Sequence, residues 1–157
     1  MRRAVILLTL GVILAAVNLS IYRHEQILRH GREILLRLAP VDPRSLMQGD
    51  YMRLRFELAR KIQDALLRDR LPHTSGSGLV QVSVTPEGIA RFQRLCGDKA
   101  PCDADAVILR YTLRRGRVRL GTDAFFFPEG EAKKYEDARY GIFRVGEDGE
   151  MILTGLR

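Results

Sequence analysis

Asp42, Asp50, Tyr51 and Glu129 are the side chains of this sequence whose types and surroundings could do chemistry. Asp42-Pro43 and Gly49-Asp50 flank a tight connection, in which Pro43 fixes one backbone dihedral and Gly49 permits a positive one. Carboxylates so placed serve either as caps on free backbone N–H groups or as a paired acid–base or ligand site. Arg44 could neutralise either aspartate, and Tyr51 and Arg53 follow on one face of the same strand. Glu129 sits beside Gly130 in a turn and reads as a buried ion-pair member or as a polar ligand contact. The usual general base is missing from this group, because His24, His30 and His73 all fall in a helical stalk or a flexible connector.

Two further patterns could carry chemistry. The stretch HTSGSG, His73 to Gly78, reads as a connector and lacks the strand-to-helix elbow that exposes a catalytic serine. Cys96 and Cys102 bracket the polar loop GDKAP. In an oxidising compartment the pair closes a loop as a disulfide; in a reducing one it leaves two free thiols. The spacing is not that of a redox centre, and no second Cys or His pair completes a zinc site, so neither a metal nor a cofactor is expected.

The elements that position these residues begin with Ala4 to Tyr22, an uncharged stretch behind Arg2 and Arg3. It approaches the roughly 20 apolar residues needed to cross a bilayer core and exceeds the usual h-region of a signal peptide. A retained single-span anchor is the expectation, with a cleaved signal as the alternative. Arginines flank the segment on both sides, but a short basic tail before an apolar run is the order that exports the downstream chain. The expected location is therefore the inner (cytoplasmic) membrane, with the C-terminal domain in the periplasm. The formal net charge of +7 comes from arginines dispersed along the chain. Without a basic block or interleaved aromatics it reads as a solvated surface, with attraction to anionic lipid second and no nucleic acid implied.

The expected organisation is an anchor over residues 1–24, a stalk over 25–32 ended by Gly31, and one domain over 33–157. Apolar runs or alternation predict strands over Glu33 to Ala39, Tyr51 to Ala59, LVQVSV, IARFQRL, AVILRYTL, RVRLG, YGIFRV and MILTGL. A short amphipathic helix is predicted over Arg60 to Arg70, and a second after Pro128-Glu129-Gly130, with Tyr135 and Ala138 on one face. Phe125 and Phe127 read as core aromatics. The fold class is α+β, mainly antiparallel β, curled or partly barrel-like, with one or two short helices behind a single N-terminal transmembrane helix.

Two stretches carry a resemblance. PVDPRSLMQGDYMRLRF, Pro40 to Phe56, resembles the signature of the GDYXXLXY family of membrane-anchored bacterial proteins, with Gly49, Asp50, Tyr51 and Leu54 matching and Phe56 in place of the final tyrosine. FFFPEGEAKKYEDARYG, Phe125 to Gly141, is similar to the family's second block through Glu129, Gly130 and Tyr135. The resemblance implies a membrane-anchored protein found beside a multi-pass membrane protein, with no known reaction. VDPRSLMQGDY is also loosely similar to the nucleophile segment of type I signal peptidases, but Val41 stands at the nucleophile, which weakens a protease assignment. Two functions are carried forward. One is a non-enzymatic extracytoplasmic binding or assembly module whose partner is a multi-pass membrane protein, and the other is an envelope hydrolase or ligand sensor using the carboxylates of the two motifs.

Overall fold

The computed structural model describes residues 2–39, 51–69, 75–97, 100–131 and 134–157. An unbroken apolar run with no β-breaking turn gives α1, Arg2–His30, which is exposed along nearly its whole length. It is long and apolar enough to cross a membrane, a property it shares with signal sequences. Its last turn docks on the rest of the chain, where Ile27 is buried. Gly31 then turns the backbone directly into a strand: a Cβ there would collide with the carbonyl oxygens of Ile27 and Val145. Arg144 locks the joint by donating to the Gly31 carbonyl at 3.0 Å and pairing with Glu33 at 3.2 Å.

Nine strands and one further helix complete the chain among the described residues. The strands are β1 (Arg32–Arg37), β2 (Tyr51–Arg53), β3 (Ser75–Val84), β4 (Ala90–Cys96), β5 (Val107–Arg114), β6 (Arg117–Leu120), β7 (Ala124–Phe126), β8 (Tyr140–Val145) and β9 (Met151–Leu156), with α2 (Glu57–Arg68) between β2 and β3. They form antiparallel sheets in the orders β1-β8-β9, β2-β7 and β4-β3-β5-β6. Single contacts knit these sheets into one curled wall. Leu35 donates to the Gly88 carbonyl at 2.8 Å, Ala39 to that of Arg55 at 2.8 Å, and Arg110 to that of Gly149 at 2.8 Å. No closed barrel results among the described residues. Ile34, Leu36, Ile62, Val80, Leu109, Leu120 and Phe143 fill the space inside the curl, and Phe56 meets Phe143 edge to face at 5.3 Å.

Several local expectations are corrected. The alternating segment from Tyr51 is a strand only to Arg53; Phe56 makes one bridge to Leu38, and α2 starts at Glu57 rather than Arg60. Leu58 satisfies both periods: it extends the strand alternation of Met52, Leu54 and Phe56, and it opens the helical stripe Leu58, Ile62, Ala65, Leu66, which is buried. The connector ending in Ser75 to Gly78 is strand, because Tyr111 lies opposite Gly78 in the β3–β5 register and covers it. After Gly130 the described residues carry a 3-10 turn at Lys134 followed by turns over 135–137 rather than an α-helix, with Lys134 N–H donating to the Glu131 carbonyl and Ala138 N–H to that of Tyr135.

Candidate functional site

Both sequence blocks meet on one ladder. β2 and β7 pair antiparallel with Tyr51 opposite Phe126, Met52 opposite Phe125 and Arg53 opposite Ala124. Met52 is buried, and Leu54 beyond it is core. The outward face carries the Tyr51 ring 5.7 Å from that of Phe126. Phe126 is 74% exposed, unusual for an aromatic ring in a protein whose other large apolar side chains outside α1 are mostly covered. Of the second block, Phe127 is buried, and Tyr135 packs between Phe125 at 5.0 Å and Phe127 at 5.6 Å. Tyr135 is thus a packing residue. Gly130 has φ +83°, as its turn requires. Glu129 is exposed at that turn and makes no ion pair among the described residues, which removes the buried ion-pair reading. Asp42, Arg44, Gly49 and Asp50 lie outside the described residues.

The sequence reading missed a surface. Arg53 at the end of β2 and Arg55 just after it, Arg60 on α2, and Arg114, Arg115, Arg117 and Arg119 on the β5–β6 hairpin line one open channel of about 1440 Å³, with only Asp64 and Asp123 as acidic lining. Arg119 pairs with Asp123. The other six arginines form no salt bridge among the described residues and are exposed. Arg114 stands directly opposite Arg117 in the β5–β6 register, where like charges are destabilising. A second groove of about 790 Å³ shares Arg53, Arg55 and Arg60 and continues past Arg37 and Arg139. There Glu57 answers Lys61 at 3.2 Å and Arg37 at 4.0 Å. The charges dispersed along the sequence are therefore gathered in space. The available signal was arginine at alternate outward positions, Arg53 with Arg55 and Arg117 with Arg119.

At the other end of the β3–β5 pair Arg94 and Asp103 answer each other around a buried amide. Gln81, 2% exposed, donates to Asp103 at 2.6 Å and to Gln93 at 3.1 Å, and its carbonyl accepts from Arg94 at 3.1 Å and from the Asp103 N–H at 3.0 Å. Arg94 also pairs with Asp103 at 2.6 Å and reaches the Pro101 carbonyl at 3.0 Å. Cys96 and Cys102 form a disulfide across the same loop. This network fixes the loop to the sheet. No group of three or more metal-ligating side chains occurs among the described residues.

The sequence profile of the GDYXXLXY protein family matches residues 13–156. The chain belongs to that family. No curated protein and no solved structure matches it.

Proposed function

We propose that this GDYXXLXY protein is a single-span, extracytoplasmic binding module that assembles with a multi-pass membrane protein of the inner membrane. The observation that carries the reading is the β2–β7 ladder, on which both blocks meet and present Phe126, 74% exposed, beside Tyr51. Rigid aromatics surrounded by arginine are the composition of a protein interface rather than of a solvated edge. The apolar helix α1 and the Cys96–Cys102 disulfide support a tethered domain on the oxidising side of the membrane. The short joint at Gly31, which leaves no linker between helix and sheet, would hold that face at a set height above the bilayer.

A photocrosslinking residue at position 126, used in intact membranes, tests the reading. Crosslinks to an integral membrane protein are expected, together with loss of that partner from detergent extracts of Phe126→Ala while the disulfide and protease resistance persist. Crosslinks confined to soluble proteins, or undiminished recovery by Phe126→Ala, would contradict it. Carbonate washing checks the tether: the protein stays with the membrane if α1 is retained and is released if α1 is cleaved.

A further inference from the structure

We infer that the arginine channel between α2 and the β5–β6 hairpin is a docking groove for an extended acidic segment of a partner protein. This rests on the binding-module reading and names the chemistry its partner would bring. Three features of the channel argue for it. Its cations are arginines, whose planar fork takes carboxylates bidentately and is weakly hydrated compared with an ammonium. They are left unanswered: among the described residues only Arg119 has an acidic partner, and Arg114 faces Arg117 across the ladder. Such an arrangement repels itself until an anion arrives. The channel is also open and long, continuing into the second groove through Arg53 and Arg60, whereas a small-molecule site is enclosed with convergent polar groups.

Two placements choose among extended anions. β1 leaves the anchor joint at Arg32 and, five residues on at Arg37, reaches the second groove, which leads into the channel through Arg53 and Arg60. At about 3.3 Å per residue the groove begins roughly 17 Å along the sheet from the helix end, beyond the range at which lipid headgroup charge is felt. Arg53, which lines both grooves, shares the outward face of β2 with Tyr51, opposite Phe126. An acidic peptide whose apolar residues reach that aromatic pair would use both surfaces at once.

The test uses the full chain in nonionic detergent and a fluorescent deca-glutamate peptide as probe, read by anisotropy. Arg60→Glu with Arg117→Glu reverses the channel; Arg32→Glu with Arg91→Glu makes the same change in net charge outside it. The channel pair should weaken binding by about tenfold or more, the control pair by less than about twofold, and binding should fall as salt rises. Equal losses from both pairs would reduce the effect to net charge and overturn the groove. Tighter binding of inorganic pyrophosphate, or of phosphatidylglycerol vesicles, than of deca-glutamate would also overturn it, assigning the channel to a small anion or to lipid. The crosslink at position 126 separates the two proposals. If wild type crosslinks a membrane protein but the channel pair binds deca-glutamate as wild type does, the groove alone is lost; if wild type yields no such crosslink, the binding-module reading is lost.

Discussion

The β3–β5 ladder ends in two contrasting ways. Near Gln81 and Ile108 it is closed by a buried amide with all its hydrogen-bonding capacity used, an Arg94–Asp103 pair and a disulfide. Near Ser75 and Arg114 it opens onto arginines with almost no acidic neighbours. The two ends share strands and solvent, so β-propensity does not explain the difference. An ion pair embedded in a hydrogen-bond network fixes a loop, whereas a cluster of like charges without counter-charges costs stability and is useful only towards something outside the chain.

The largest effect in breaking this contrast should come from Gln81. Replacing it with Leu leaves the Asp103 N–H and Arg94 without their acceptor, and stability should fall by about 3 kcal/mol. Denaturant melts should show a lower midpoint with an unchanged slope; an unchanged midpoint would make the network decorative. Next comes the staple. Cys96 and Cys102 are only six positions apart, so a double Ser variant should lose about 2 kcal/mol, measured the same way, while the crosslink from position 126 is retained. A smaller effect lies midway along the ladder. Burial pushes the Tyr111 hydroxyl above its ordinary value of 10.0. The unfolded chain then loses that proton first, so stability is full below the ordinary value and falls as pH climbs through the raised one. Tyr111→Phe should flatten the alkaline fall seen in melts above about pH 10; an equally steep fall would place its origin elsewhere.

How far this contrast was legible in the sequence depended on the kind of signal. Where one periodicity dominated, the elements emerged: β5, β6, β8 and β9 lie where alternation and turn residues put them, and the β8–β9 turn closes with Gly146 N–H on the Glu150 carbonyl and Gly149 at φ +79°. Where one residue served two periods, as Leu58 does, the helix start was misplaced. The strand over Ser75 to Gly78 was illegible because its β-character depends on a partner, Tyr111, far along the chain. The second block carried its own turn chemistry, so the Gly130 turn and the packing of Phe127 could be read locally. The channel could not. Its arginines come from β2, α2 and a hairpin, and nothing in any single segment says that the three converge. The Gln81 network was hidden for the same reason, since it joins residues up to 22 positions apart.

The central claim is that the channel arginines are kept for binding at the expense of stability, and thermal melting of the full chain against ionic strength tests it most directly. Wild type should melt higher at physiological than at low salt, because counterions screen the mutual repulsion. Arg60→Gln with Arg117→Gln should melt above wild type at low salt, by no more than about 0.5 kcal/mol per site, respond less to salt, and bind deca-glutamate about tenfold more weakly. A variant that melts below wild type at low salt and binds the peptide equally well would contradict the account, because those arginines would then be holding the fold together.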